Sequence, residues 1–222
     1  MSFSAELREA AGPAWEAQVA HPFVRGIGDG TLPEEQFRFY VRQDYLFLID
    51  YGRLLALAAA RAPRLEWMRR FAALAQSVLE TEMDLHRQFA ARWGVTAEQL
   101  ESERTAPATD AYCDFLLRTA ALGDFAELAA ALLPCMWSYA EIGQRLAAAG
   151  PPDHDGYAEW IAMYAGDEFG ELAAWSRELT DAAAEGVAGP GRERMHAAFR
   201  ASLEHELAFF TAAAPPHRPP AP

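Results

Sequence analysis

The sequence contains no lysine and no asparagine, and all 19 of its basic residues are arginine. Without lysine the chain cannot form the Schiff base of a pyridoxal enzyme or of a lysine-dependent aldolase. It also cannot supply the lysine that a P-loop places on nucleotide phosphates. These absences exclude classes of mechanism. They indicate no particular function, because a GC-rich genome produces the same composition.

Positive charge is scarce as well. Asp and Glu number 32 against 19 arginines, which gives a net charge of −13 at pH 7. This charge opposes binding to nucleic acid and to anionic membrane surfaces, since both attract proteins through negative groups that the protein must neutralise. Small neutral or cationic molecules remain as possible ligands.

Cysteines and long apolar runs are also few. Cys113 and Cys135 are too few for a disulfide framework, and no apolar run reaches the length of a membrane span. The first 21 residues contain three Glu and lack the basic start and apolar stretch of a signal peptide. We therefore expect a cytoplasmic protein with free thiols. Its 222 residues suffice for one sizeable core.

Signals for β-strands are nearly missing, and helical periodicity dominates. We predict an all-α fold of seven or eight helices in a single compact bundle over 1–213, followed by a proline-rich, disordered tail over 214–222. Thr31 is the predicted N-cap of one long helix, with Pro33 in its first turn, and Asp124 opens another. The predicted helices cover about 4–19 with a break at Pro13, 31–60, 64–93, 108–122, 124–149, 157–165, 168–184 and 190–213.

Two patterns point weakly to a ligand site. The glycines of 26–30 resemble a dinucleotide loop, but the third glycine of that motif would fall at Thr31 and no strand precedes it. A turn between helices is the better interpretation. Glu82 and His86 lie four residues apart on one helix face and could share a metal ion. Because no second pair of this kind is evident, we predict no metal site and favour a buried hydrogen bond between Glu82 and His86.

Two carboxylates lie on helix faces that should point into the core. Asp44 shares its face with Phe47 and Tyr51, and Glu206 shares its face with Phe209. A buried carboxylate is costly unless it is paired. Asp44 is therefore either bonded to an arginine or a backbone donor, or functional. Glu206 has the position of a general acid with a raised pKa, unless it lies at the solvated margin of its helix.

A proline interrupts an otherwise excellent helix just before a cysteine. Pro134 removes one backbone hydrogen bond and costs about 3 kcal/mol, and such distortions often frame a functional site. Cys135 follows it, and Tyr139 lies one turn further on the same face. Cys135 is therefore a candidate nucleophile, although an isolated cysteine is more often a small buried apolar residue.

Aromatic residues recur near these carboxylates and the cysteine. Most aromatic side chains in a helical bundle simply fill its core. Beside two inward carboxylates, however, they describe a pocket for a flat, polar heterocycle, whose faces stack on rings and whose edge nitrogens meet carboxylates. The aromatic candidates are Phe47, Tyr112, Trp137, Tyr139 and Tyr164.

At these residues the chain resembles the TenA family, also called thiaminase II or aminopyrimidine aminohydrolase. The matching stretches follow the family's order over nearly the whole chain, and those at Gln43-Asp44-Tyr45 and Pro134-Cys135 are the most specific. The others are Gly30-Thr31-Leu32 through Tyr40, Glu82 with His86, 133–143, Trp160 to Phe169, and Glu206 with Phe209-Phe210.

The resemblance implies a haem-oxygenase-like helical domain and the hydrolysis of a thiamin-related aminopyrimidine in thiamin salvage. In this chemistry, hydroxyl from water replaces either the amine of aminomethyl pyrimidine or the thiazole of thiamin. It further implies a homotetramer and no cofactor. Carried over residue by residue, Cys135 resembles the nucleophile, Glu206 the acid that protonates a ring nitrogen, and Asp44 the anchor of the aminopyrimidine edge. Phe47 resembles a stacking wall.

The remaining site residues that the resemblance implies are the pocket tyrosines Tyr112, Tyr139 and Tyr164. Phe210 stands where many members have tryptophan, which concerns packing more than chemistry. Two rival functions stay open: a non-catalytic, regulatory binder of pyrimidines, and a di-iron oxidase of the same fold. The natural leaving group, amine or thiazole, is not determined by these residues.

Overall fold

In the computed structural model, residues 1–213 are described, and within them every regular element is helical, as predicted. The predicted tail over 214–222 lies outside the described residues. Across the described range there are twelve α-helices and one π-helical segment, Val78–Glu82. The α-helices are α1 Phe3–Ala10, α2 Gly12–Val19, α3 Pro22–Gly28, α4 Glu34–Arg61, α5 Leu65–Ser77, α6 Met83–Arg92, α7 Ala97–Ser102, α8 Pro107–Leu122, α9 Phe125–Ala149, α10 Asp155–Ala165, α11 Asp167–Ala183 and α12 Gly189–Ala213.

Helix α9 forms the centre of the bundle. It packs against α10, α11 and α12, and its apolar residues Leu128, Leu133 and Ile142 are fully buried. The predicted cap is confirmed, because the Asp124 side chain accepts a hydrogen bond from the Glu127 backbone N–H at 2.8 Å. Pro134 lies inside α9, and the α-helix continues on both sides of it.

Helix α4 begins later than predicted. Pro33 is its N-cap, and the Thr31 side chain does not cap it. Instead, the Thr31 hydroxyl donates to the Asp29 carboxylate at 2.6 Å, and the Thr31 backbone N–H donates to the same oxygen at 3.0 Å. The Thr31 hydroxyl is therefore bonded within a local turn and does not accept a backbone N–H of α4. The prediction that Thr31 caps this helix is wrong.

The predicted single helix over 64–93 is interrupted by the π-helical segment. At its end the Met83 backbone N–H donates to the Val78 carbonyl, five residues back, which is the π-helical pattern. Sequence periodicity does not show this one-residue insertion, because the flanking helices α5 and α6 are regular. Segments of this kind are frequent at functional sites.

The chain has more helices than the seven or eight predicted. The predicted break in the first helix is present, but it lies at Ala11 and not at Pro13: α1 ends at Ala10, α2 begins at Gly12, and Pro13 belongs to the first turn of α2. The short helices α3 and α7 were not predicted, and both are too brief to show a clear period. The glycines of 26–30 end α3 and form a turn, as expected, with Gly30 at a φ of 75°.

No helix in residues 1–213 is at once long enough and apolar enough to cross a membrane.

Candidate active site

One cavity brings together seven of the eight candidate site residues. It lies between α4, α5, α8, α9, α10, α11, α12 and the π-helical segment, so that residues from distant parts of the chain line the same space. The seven candidates that line it are Asp44, Phe47, Tyr112, Cys135, Tyr139, Tyr164 and Glu206. Trp137, which the sequence also suggested as an aromatic wall, lies away from this cavity and packs edge-on against Trp15.

Cys135 faces the cavity from α9. Its thiol donates to the Tyr51 hydroxyl oxygen at 3.2 Å, and the side chain is only partly buried because it is open to the cavity. Burial, followed by the negative charge of Glu206, raises the pKa of this thiol well above its usual value. The resting cysteine is therefore a neutral thiol. Tyr51 was not among the predicted site residues, although its position on the Asp44 face of α4 was recognised.

Glu206 is a buried carboxyl group on α12. The Tyr112 hydroxyl donates to its Oε1 at 2.8 Å and lies 3.1 Å from the Ser202 hydroxyl. Burial raises the pKa of Glu206 to about 8, with help from the charge of Asp44 and against the hydrogen bond of Tyr112. At neutral pH this group holds a proton, as a general acid must.

Asp44 is bonded to a histidine, not to an arginine or a backbone donor as the structural interpretation expected. Its Oδ2 lies 2.7 Å from Nε2 of His86, while Nδ1 of His86 lies 2.9 Å from the backbone carbonyl oxygen of Glu82. Because a carbonyl oxygen only accepts, Nδ1 carries a proton. Burial alone would lower the pKa of His86, but the hydrogen bond and charge of Asp44 outweigh it and raise that pKa.

The predicted hydrogen bond between Glu82 and His86 is confirmed, but the Glu82 atom that accepts it is the main-chain carbonyl oxygen and not the carboxyl group. The His86 ring thus uses both nitrogens, one on Asp44 and one on the Glu82 main chain. The two residues do lie on one helix turn, as their spacing predicted. Across helices, however, the Asp44 carboxylate is the acceptor that Nε2 reaches, which leaves the Glu82 carboxyl group facing the cavity.

Glu82 is a cavity residue whose position the sequence did not predict. Burial, with the charge of Asp44 adding to it, raises its pKa to about 7, although nearby His86 lowers it. The spacing of Glu82 and His86 drew attention to this segment but gave no way to separate their roles. Among residues 1–213, no group of three or more His, Cys, Asp or Glu side chains is arranged to hold a metal ion.

Aromatic rings form two walls of the cavity. Phe47 stacks on Tyr112 with ring centroids 5.0 Å apart, and Tyr139 contacts Tyr164 at 4.8 Å. Burial raises the pKa of all three tyrosines, so their hydroxyls stay neutral and can donate hydrogen bonds. The site thus combines flat apolar walls with acidic groups, which suits a planar heterocycle that carries amino and ring nitrogens.

Comparisons with known proteins agree with this arrangement. The model of the TENA/THI-4/PQQC family matches residues 8–215. The aminopyrimidine aminohydrolase of Halalkalibacterium halodurans is 46% identical over 210 residues, which cover 93% of this chain and 94% of that protein. A solved TenA homologue from P. horikoshii OT3 superposes with a TM-score of 0.89 at 30% identity, covering 96% of this chain and 98% of the other.

A more distant structure defines the fold. A domain from Shewanella denitrificans OS217, described as having a heme oxygenase-like fold, superposes with a TM-score of 0.75 at 14% identity, covering 95% of this chain and 91% of that one. It confirms the predicted haem-oxygenase-like architecture. The family model, the 46% identical relative and the order of the matching residues lead to one conclusion: the chain belongs to the TENA/THI-4/PQQC family.

Proposed function

We propose that this protein is an aminopyrimidine aminohydrolase of thiamin salvage. It replaces the substituent on the methylene group of a 4-amino-2-methylpyrimidine with hydroxyl from water. The observation that carries this proposal is the convergence of Cys135, Glu206 and Asp44, from three helices, on one cavity with aromatic walls. The name of the 46% identical relative supports the same activity.

In the proposed mechanism Cys135 adds to the pyrimidine ring. Its sulfur bonds to a ring carbon while Glu206 gives a proton to a ring nitrogen. The thiol proton passes to the Glu206 carboxylate left behind, so that the addition releases no net proton. Splitting one difficult displacement into an addition and an elimination lowers the barrier of each step. A well-placed acid contributes about 10²–10⁴-fold to such a reaction.

Asp44 anchors the substrate in this proposal. Held by its hydrogen bond to His86, its carboxylate keeps a fixed orientation and accepts a hydrogen bond from the exocyclic amino group of the pyrimidine. Phe47 stacks against the ring, and Tyr112, Tyr139 and Tyr164 line its edge. The leaving group departs from the methylene carbon as electrons of the adduct form an exocyclic double bond, and water then adds to that carbon.

The test of the nucleophile compares the two cysteines. We expect Cys135→Ser to lower the kcat for release of hydroxymethyl pyrimidine by at least about 10²-fold, because a serine hydroxyl is a far weaker nucleophile than sulfur. Cys113→Ser is the matched control: Cys113 is buried on α8 outside the cavity and should retain near wild-type kcat. Aminomethyl pyrimidine and thiamin are assayed separately, which identifies the leaving group.

Undiminished turnover by Cys135→Ser would overturn the role of the nucleophile. Binding of aminomethyl pyrimidine and thiamin by the wild type, measured by calorimetry, without hydrolysis of either would favour the rival function of a regulatory pyrimidine binder. Iron that copurifies with the protein in stoichiometric amount would favour the di-iron oxidase.

We further infer that the protein works in the cytoplasm as a homotetramer. Two free cysteines suit a reducing compartment. Large apolar side chains lie exposed on α4, α5 and α8, including Leu65 at 59% and Leu122 at 81% exposure, and we propose these two for burial between subunits. Light scattering coupled to gel filtration should give four times the 24.5 kDa chain mass. A monomer mass would contradict the homotetramer. A tetramer that persists in the double variant Leu65→Glu/Leu122→Glu would show that these two side chains do not lie in the interface.

A further inference from the structure

Three carboxyl groups line the cavity, and two of them have a short hydrogen bond to another side chain. Asp44 is bonded to His86 at 2.7 Å, and Glu206 accepts from Tyr112 at 2.8 Å. The Glu82 carboxyl group, by contrast, has no comparably short hydrogen bond among residues 1–213. The Tyr164 hydroxyl near it lowers its pKa less than the charge of His86 does. A polar group left open in an otherwise closed site is available to water or ligand.

The backbone holds Glu82 at this position. It is the last residue of the π-helical segment, and its carbonyl accepts the Nδ1–H of His86 at 2.9 Å. The main chain is thereby tied to the same histidine that orients Asp44, while the side chain projects into the cavity. The fold thus places a third carboxyl group in the wall of the cavity that Asp44 and Glu206 also line.

The surroundings of Glu82 give it a proton affinity that differs from that of Glu206. Asp44 on α4, His86 on α6 and Tyr164 on α10 act on it, and it acts in turn on the Cys135 thiol and the Tyr51 hydroxyl. Its pKa of about 7 lies below the value of about 8 at Glu206. Near neutral pH, Glu206 therefore keeps its proton while a large fraction of Glu82 is ionised. Two carboxyl groups whose pKa values differ in this way suit the roles of acid and base.

We propose that Glu82 is the general base of the second half of the reaction, an assignment that rests on the proposed hydrolysis. The water oxygen bonds to the exocyclic methylene carbon of the Cys135 adduct, and its proton passes to the Glu82 carboxylate. The electron pair of the exocyclic double bond returns to the ring. The carbon–sulfur bond then breaks towards sulfur. Glu206 gives its proton to the Cys135 sulfur, and the proton of the ring nitrogen replaces it on Glu206, which restores the resting thiol and the resting acid. Glu82 passes the water proton to the departed ammonia or, with thiazole, to solvent.

The first experiment separates the two half-reactions with Glu82→Gln. The amide keeps the shape but takes no proton, so we expect a rapid stoichiometric burst of leaving group, a kcat at least about 10²-fold lower, and a Cys135–pyrimidine adduct visible by intact-protein mass. Glu206→Gln should show no burst, because it impairs the addition itself. Glu80→Gln is the matched control, since Glu80 lies in the same segment but is exposed to solvent.

Azide provides the decisive second test. It attacks the methylene carbon without losing a proton and therefore needs no base. Added azide should raise the turnover of Glu82→Ala by at least about tenfold and yield azidomethyl pyrimidine, while leaving Cys135→Ser inactive. With the wild type, the azide share of the products should fall as the pH rises through about 7, where Glu82 becomes ionised. This last measurement needs no variant to fold.

Three results would overturn the proposal. The first is a Glu82→Gln variant with no burst and an unchanged kcat, and the second is a Glu82→Gln variant in which leaving-group release and water addition slow equally. The third is an azide share of the wild-type products that does not depend on pH. Failure of the proposed function is distinguishable, because the wild type would then hydrolyse neither aminomethyl pyrimidine nor thiamin.

Discussion

At the scale of residues, one cavity holds three carboxyl groups in three electrostatic situations. Asp44 is bonded to the His86 ring, Glu206 accepts a hydrogen bond from the Tyr112 hydroxyl, and Glu82 has no comparably short hydrogen bond among residues 1–213. The fold creates these differences through the partners alone, because all three groups are deeply placed and belong to the same chemical class. An anchor, an acid and a base can thus arise from one type of side chain.

The raised pKa of Glu206 makes stability depend on pH. The folded protein holds this proton more tightly than the unfolded chain, so the contribution to the free energy of unfolding is present in full below about pH 4.5. It is lost as the pH rises to about 8. The loss is at most about 1.4 kcal/mol per pH unit for one group. Glu206→Gln, which keeps an acceptor for Tyr112, should remove this dependence.

The measurement is urea unfolding at pH 5 and pH 8.5 at constant ionic strength. Relative to the wild type, Glu206→Gln should be more stable at pH 8.5 than at pH 5. Glu204→Gln, an exposed neighbour on α12, is the control and should follow the wild-type slope. Parallel slopes for Glu206→Gln and the wild type would show that the carboxyl group is already ionised in the folded protein.

At the scale of elements, a glycine lets α9 and α10 meet at the site. A Cβ atom at Gly143 would lie 2.5 Å from the Tyr164 carbonyl carbon and 2.6 Å from the Ala165 backbone nitrogen, closer than such atoms approach. The contact is with backbone, which cannot swing aside as a flexible side chain would. Gly143 therefore sets the position of Tyr164 in the cavity wall.

We expect Gly143→Ala to destabilise the protein by about 1–3 kcal/mol and to lower kcat/KM, because α10 must move away with Tyr164. Gly170→Ala is the matched control on α11, where the added methyl group would meet only the Gln144 side-chain nitrogen at 3.7 Å. There the same change should stabilise by up to about 1 kcal/mol, since alanine favours a helix over glycine. Thermal unfolding and steady-state kinetics measure both, and equal effects would contradict the role of Gly143.

An element could be predicted when the interactions that fix its ends lie between residues close in sequence. The cap at Asp124 depends on residues three apart and was predicted. The start of α4 was missed because Asp29, outside the helix, competes for Thr31. The π-helical segment was missed because one inserted residue leaves the period of α5 and α6 unchanged.

At the scale of the whole molecule, the helical class followed from the scarcity of strand signals, and the site depended on long-range packing. Asp44 and Glu206 could be placed inside from the spacing of their own helices. Their meeting with Cys135 came from the family resemblance, since periodicity does not say which faces meet. The bond from Asp44 to His86 joins residues 42 positions apart, and only the folded chain reveals it.

The burial of Cys135 also shields the protein from oxidants. The thiolate, and not the thiol, attacks peroxide, and the raised pKa of Cys135 keeps the sulfur protonated in the cavity. Burial and the charge of Asp50 raise the pKa of Cys113 to about 12, so the second sulfur is equally unreactive. If Cys135 is the nucleophile, as proposed, its sulfur thus resists sulfenic acid formation until a substrate ring enters the cavity.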